Sequence, residues 1–367
     1  MAEKEFPCPS CGAELKWQPA AGLACPYCEY QGDAPADAGN ITIQEYRLED
    51  AARSAPRGWG TERRSMRCQT CTAVSEIGPE VAATQCPFCG ATQLDEASDE
   101  DVIRPESVLP FAIEREDAVR MFRGWLGGLW FRPSSLKSAA QIQSIRGVYV
   151  PAWTFDADAT SRWDAEAGHY YYVEETRTAV EDGKQVQKTQ RVRKTRWEPA
   201  SGVHRDHYDD WIVQASGGLD QKALKGLLPY ELAKLRGYDA QFLSGFDAER
   251  YSIDLHSSWA VAQKEIGSAE RSKCRSEVPG DTQRNLSVDT SFSDVMFKHT
   301  LLPVWIAAYR YNDQVYRYLV NGDTGKATGD APISWVKVIL FVIAVLVVIG
   351  GCLGVLTLTG AVGAQMR

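Results

Sequence analysis

The stretch Gly147–Ala159, GVYVPAWTFDADA, decides how the body of this chain folds. It is aliphatic and aromatic, and reads as a strand. Two more strand-like runs follow, His169–Val180 and Gln185–Trp197, joined across Glu181-Asp182-Gly183-Lys184. An Asp-Gly step between two such runs predicts a hairpin. The segment also has an echo. VPAWTFDADATSRWDAEAG at Val150–Gly168 matches LPVWIAAYRYNDQVYRYLVNG at Leu302–Gly322, each opening with an aliphatic residue and Pro-x-Trp. Pro151 and Pro303 would each begin an edge-tolerant strand, because proline has no N–H to give to a ladder. The expectation is an antiparallel α+β core with two related sheet pieces.

Helical signals surround these strands. Ala118, Phe122, Trp125, Leu126 and Leu129 share one face at helical spacing, and Pro133 stops the run. Pro229–Leu235 reads as a short helix. Leu255–Ala269 reads as a longer one, with Leu255, Trp259 and Ile266 as its apolar stripe. Leu301–Leu319 returns to strand, with a turn at Asn321-Gly322-Asp323. That turn runs into Gly325-Lys326, but Val320 and Ala327 break the phosphate-loop pattern G-x4-G-K-[ST]. No other catalytic motif is present, so enzyme activity is not expected.

Upstream lie eight of the ten cysteines: Cys8, Cys11, Cys25, Cys28, Cys68, Cys71, Cys86 and Cys89. They make two copies of C-x2-C…C-x2-C. Zinc takes four thiolates in a tetrahedron, and this spacing delivers them in pairs. Gly12 and Gly90 directly follow their pairs, where a tight turn calls for positive φ. Disulfides would need an oxidising compartment, and the N-terminus, MAEKEFPCPS, carries no apolar signal segment. Two structural zinc ions in closed sites are expected. Cys274 and Cys352 are read as free thiols without a role.

At the other end, Ile339–Ala364 is an almost unbroken apolar run. It predicts a transmembrane tail anchor, with the N-terminal bulk in the cytoplasm and the span in the inner (cell) membrane. Gly350 and Gly354 form a G-x3-G that would pack a homodimer in that span. The expected organisation is a first zinc ribbon (1–32), a linker with a short strand at Ile41–Tyr46 (33–62), a second ribbon (63–94), an acidic linker (95–102), an α+β soluble core (103–332) and the anchor (333–364). The 367 residues suit two or three domains. A net charge of -8 excludes bulk attraction to polyanions, so any nucleic-acid site would have to be a local patch.

One such patch stands out. Lys184, Lys188, Arg191, Arg193, Lys194 and Arg196 crowd one strand with no acid among them. They would contact nucleic acid or anionic lipid, or pair across the hairpin with Glu174 and Glu175. His204 and His207, with Asp206, Asp209 and Asp210 nearby, offer metal ligands, although histidines so spaced in a polar segment usually face solvent.

The ribbons CPSCGAELKWQPAAGLACPYC and RCQTCTAVSEIGPEVAATQCPFCG, the segment GVYVPAWTFDA, and LLPVWIAAYRYNDQVYRYLVNGDTG before an apolar end together resemble a bacterial membrane-anchored zinc-ribbon family. Its ribbons are similar to those of the transcription-factor-IIB type. The family is often catalogued as similar to the primosomal protein N′ helicase of superfamily II. The resemblance implies zinc at the eight cysteines, and the label implies an ATPase, whose P-loop this sequence lacks. The expected function is a tail-anchored, cytosol-facing scaffold or adaptor recruiting a protein partner to the membrane. The alternative is a membrane-tethered nucleic-acid binder using the ribbons and the Lys184–Arg196 strand.

Overall fold

The computed structural model describes residues 6–19, 21–32, 41–59, 64–77, 85–97, 102–128, 132, 145–181, 184–311 and 314–364; side chains of a few of these, including 308–311, 314–315 and 350 onward, are left out of the description. Along the chain run strands β1 (Lys16–Gln18), β2 (Gly22–Ala24), β3 (Tyr46–Arg47), β4 (Arg64–Cys68), β5 (Val74–Ile77), β6 (Leu94–Glu96) and β7 (Ser107–Val108). Short helix α1 (Ala51–Ser54) lies among them, and α2 (Arg115–Gly128) follows. Then come the long strands β8 (Ile145–Glu181) and β9 (Lys184–Gln214), helix α3 (Gln221–Leu227), and strands β10 (Arg236–Gly237) and β11 (Asp247–Glu249). Helix α4 (Leu255–Glu277), strands β12 (Thr282–Tyr311), β13 (Gln314–Asn321) and β14 (Ala327–Gly329), and helix α5 (Trp335–Ala364) complete the order.

The expected α+β class is corrected. The chain is mostly sheet, 45% strand, and its helices are subordinate. The centre is an antiparallel ladder in the order β9-β8-β12-β13. The two Pro-x-Trp segments lie side by side in it. They pair antiparallel about Val150↔Leu302, with Pro151 opposite Leu301 and Pro303 opposite Tyr149.

Neither proline begins a strand or lies on an edge, contrary to the reading from sequence. Each sits inside a central strand, where its outer neighbour stops: β9 ends at Gln214 opposite Ala152, and β13 at Asn321 opposite Val304. In an antiparallel ladder one residue's N–H and C=O face the same neighbour. The carbonyls of Pro151 and Pro303 accept the N–H groups of Ala215 and Gly322, just past those ends. The missing proline N–H therefore faces a place where no ladder bond is due.

Helix α4 covers one face of β8, β9 and β12. Its Asp254 cap accepts from Ser257 N, and Leu255, Trp259, Ala262 and Ile266 pack on Trp153, Phe155, Ala157 and Phe297. The helix is longer than its apolar stripe implied and reaches Glu277. The Pro229–Leu235 helix is only a 3-10 turn, Leu232–Lys234. At Ile41–Tyr46 the strand is confined to Tyr46–Arg47. In α2, Ala118 and Phe122 are buried and Trp125 packs against them; Leu129 and Pro133 lie outside the described residues.

Beyond Gly168, opposite Thr282, β12 no longer accompanies the hairpin. His169–Glu181 and Lys184–Trp197 continue alone as a two-stranded arm. At about 3.3 Å per residue it reaches roughly 40 Å past the third strand.

The C-terminal expectation is also corrected. Helix α5 runs from Trp335 to Ala364, with side chains described as far as Ile349. Among the described residues no helix is long and apolar enough to cross a membrane. This overturns the transmembrane tail anchor, the single-pass inner-membrane location and the membrane tethering of either functional reading. The homodimer contact at Gly350 and Gly354 falls where side chains are not described.

Candidate metal centres

Four knuckle turns build two clusters. Each begins with a cysteine whose N–H donates five residues on, from Cys8 to Ala13, Cys25 to Tyr30, Cys68 to Ala73 and Cys86 to Ala91. Each ends with positive φ directly after its second cysteine, at Gly12 (70°), Glu29 (58°), Thr72 (61°) and Gly90 (72°). Two of the four positions are glycine, which adopts this conformation at least cost. The strand pair β1–β2 joins the knuckles of the first ribbon; β4 and β5, with β6 alongside, carry those of the second.

Within the first cluster Cys8 and Cys28 Sγ lie 3.5 Å apart, as do Cys11 and Cys25. In the second, Cys68–Cys89 and Cys71–Cys86 are each 3.6 Å apart. All four sulfurs of each set fall within 4.8 Å of one another. Sulfurs about 2.3 Å from a tetrahedral ion would be separated by about 3.8 Å, against about 2.05 Å in a disulfide. The eight cysteines therefore form two closed thiol tetrads, each of which could hold a zinc ion. Burial opposes ionisation of Cys25, but N–H groups of Tyr27 and Cys28 outweigh it and bring the thiol down to about 6. The Cys86 thiol, then the Ala73 N–H, bring Cys71 down to about 5. Their tetrad partners move the other way, Cys28 up to about 12 and Cys89 up to about 11; a metal requires all four as thiolates.

The ribbons differ in setting. Strands β4, β5 and β6 belong to the main sheet, through β5 on β11 and β11 on β8. Cys68, Cys86, Ala73 and Phe88 share a core with Val148, Val150 and Leu302. A buried ion pair fastens this junction: Arg250 Nε lies 2.8 Å from Glu76 Oε1, and Ser65 Oγ donates to the same carboxylate. The first ribbon is a separate two-stranded sheet, β1–β2, whose Cys8, Leu15, Trp17, Leu23 and Cys25 share a core with Phe111, Tyr149 and Phe242. Trp17 meets Phe242 edge-on at 4.6 Å, and Trp17 N–H donates to the Ser244 carbonyl.

The basic strand lies on the arm. Arg191, Arg193, Lys194 and Arg196 are exposed, as is Lys188; the Lys184 side chain lies outside the described residues. Lys194 pairs with Glu175 at 2.8 Å and Arg196 with Glu198 at 3.0 Å. Glu175 thus takes the cross-strand role expected of it. Glu174 stands opposite Arg191 in register. Arg191 and Arg193 instead cover tyrosine rings, Tyr172 at 4.3 Å and Tyr170 at 4.1 Å.

The histidines separate. His207 is exposed and hydrogen-bonds Asp158 at 2.7 Å. His204 turns toward α4, 2.5 Å from Glu277, and shares a cluster with Asp206 and Glu270. The Lys273 ammonium already occupies that cluster, bonded to Asp206 and 3.7 Å from Glu270. A second charged cluster escaped the sequence reading. Glu45, Asp156 and Asp210 converge on the buried Lys298. Burial, then the Glu45 carboxyl, push Asp156 up to about 7. Nothing local announces this group, since Glu45 and Lys298 are 253 positions apart. The Asn321 turn is a clasp: its Oδ1 accepts from Asp323 and Thr324 N–H, and its Nδ2 donates to the Leu227 and Pro229 carbonyls.

Comparison with known proteins finds one named relative. Over 240 residues the chain is 28% identical to Uncharacterized protein YdjG of Bacillus subtilis (strain 168), covering 64% of this chain and 66% of that protein. The chain thus spans just under two thirds of that relative's length. No family model matches, and no solved structure does. The two tetrads fit zinc ribbons; the helicase label finds no match.

Proposed function

We propose that the protein is a zinc-ribbon scaffold or adaptor and that its first ribbon recruits a protein partner. One observation supports this reading. Tyr27, inside the Cys25-Pro26-Tyr27-Cys28 knuckle, is 81% exposed, whereas Phe88 at the same place in the second ribbon is fully buried. The second ribbon spends its aromatic knuckle on the core of its own chain. The first holds a tyrosine outward on a turn that a metal would make rigid. Tyrosine is enriched among residues that dominate binding interfaces, and a preorganised anchor loses little entropy on binding.

The test is crosslinking followed by pull-down from cells expressing the wild type, Tyr27→Ala or Cys8→Ser. Loss of the same partner in both variants supports recruitment by the first ribbon. Retention of every partner in both removes it.

A further inference from the structure

We infer that one face of the projecting arm binds single-stranded nucleic acid, by base stacking on an aromatic–guanidinium ladder. Register defines the face. Gly168↔Trp197, Tyr170↔Thr195, Tyr172↔Arg193 and Glu174↔Arg191 are opposite pairs, and opposite residues share a side of the sheet. Three stacks follow one another along it: Arg284 over Trp197 at 4.2 Å, Arg193 over Tyr170 at 4.1 Å and Arg191 over Tyr172 at 4.3 Å. The two tyrosine rungs lie two residues apart on β8, about 7 Å.

The face is open. It continues the side of β8 opposite α4, since Trp163, Ala165 and Ala167 are buried while Arg162 and Asp164 are exposed. Tyr172 is 53% exposed. The charges on it are unequal in availability. Arg284 is held by Glu166 through two bonds of 2.9 and 3.0 Å, so it orients Trp197. Among the described side chains of the arm, Glu174 is the acid of this face. The guanidinium carbons of Arg191 and Arg193 sit over tyrosine rings on exposed side chains, where a base can stack and the N–H groups can reach a phosphate. The opposite side of the arm is different: there Lys194 and Arg177 share Glu175, and Arg196 meets Glu198.

The occupant follows from this chemistry. Rows of aromatic rings with interleaved cations bind single strands, whose bases are free to stack, with little sequence preference. A duplex keeps its bases paired and offers such a face only its backbone. The inference is independent of the scaffold reading, which concerns the first ribbon.

The experiment is fluorescence anisotropy with the chain Met1–Arg367 and labelled oligothymidine, oligouridine, a DNA duplex and a polyglutamate peptide, at about 50 and 200 mM salt. Binding of both single strands, weakened by salt and tighter than that of duplex, is expected. R191A/R193A should weaken it at least tenfold and lower the log–log salt slope by about 1.4, two phosphates at about 0.7 each. R191K/R193K keeps the charge and loses the planar guanidinium over each ring, so intermediate affinity is expected. K188E/K194E, on the other side of the arm, should have the smaller effect. Zinc content and circular dichroism confirm that each variant folds. No single-strand binding at about 50 mM salt, equal loss from K188E/K194E, or polyglutamate binding with the same dependence on Arg191 and Arg193 would each overturn the inference.

Discussion

Tyr27 and Phe88 hold the same position in two Cys-Pro-x-Cys knuckles, yet Tyr27 faces outward and Phe88 has no exposed surface. Two copies of one motif have diverged in their use. Phe88 packs with Ala73, Val148 and Leu302, and an added Cβ at Gly218 would come within 2.8 Å of its ring. Phe88→Ala should therefore cost about 3–5 kcal/mol, the penalty for emptying a buried aromatic site. Tyr27→Ala should stay within about 0.5 kcal/mol. Chemical denaturation of both variants checks the contrast; equal losses would contradict the two settings.

Metal content should follow the tetrads. The purified chain should carry two zinc ions, and Cys11→Ser or Cys71→Ser should each leave one, as counted by atomic emission. The consequences for stability should differ. Loss of the second site loosens β4 and β5, which are hydrogen-bonded into the main sheet, whereas loss of the first loosens a separate two-stranded sheet held to the body chiefly by side-chain packing. Cys71→Ser should lower the unfolding midpoint by several degrees more than Cys11→Ser. The reverse order would mean that the first ribbon is the deeper support.

Arg250 and Glu76 are a buried pair, 5% and 1% exposed. Removing one member strands a charge away from water. Arg250→Met or Glu76→Gln alone should cost about 3–5 kcal/mol. The double variant should recover part of that loss, because it leaves no unpaired charge. Urea denaturation of the three variants completes the cycle. Strictly additive losses would show that the two residues do not act together.

His299 sets a pH dependence. Burial holds its imidazole down, to about 4, despite hydrogen bonding to backbone carbonyls. In the unfolded chain it titrates near 6.5. As pH falls from about 6.5 to 4, the unfolded state takes up a proton that the folded state refuses, so stability drops. Above about 6.5 its contribution is complete. Asp156, raised to about 7, acts in the opposite sense over the same window. The informative quantity is thus the difference between wild type and His299→Gln. The wild type should lose on the order of 3 kcal/mol more between pH 7 and 4. Parallel curves for the two proteins would remove His299 as the cause.

The cysteine tetrads were legible because their information is local. Two cysteines three apart, followed by a residue that accepts positive φ, describe a knuckle wherever it occurs. The hairpin was legible for the same reason: a two-residue connection between apolar-patterned runs leaves few alternatives, and Glu181 does pair with Lys184. The Pro-x-Trp echo was visible as well, but its meaning was not. Proline argues for an edge only when its N–H would be needed, and that depends on where β9 and β13 stop.

The C-terminal run misled because hydropathy alone suggested a span. Class assignment erred from length: the helical periods were real, but strands of 30 residues and more outweigh them. Such strands are far beyond the usual five or six residues, so they read as several shorter ones.

By itself the sequence determined the two sets of four cysteines, the hairpin of β8 and β9 and the basic strand, each from residues close in the chain. Only the tertiary structure decided which knuckle aromatic is buried, where Arg191 and Arg193 find their rings, and how Glu45, Asp156, Asp210 and Lys298 meet. These are contacts between distant segments, selected by packing and strand register, and no local pattern carries them.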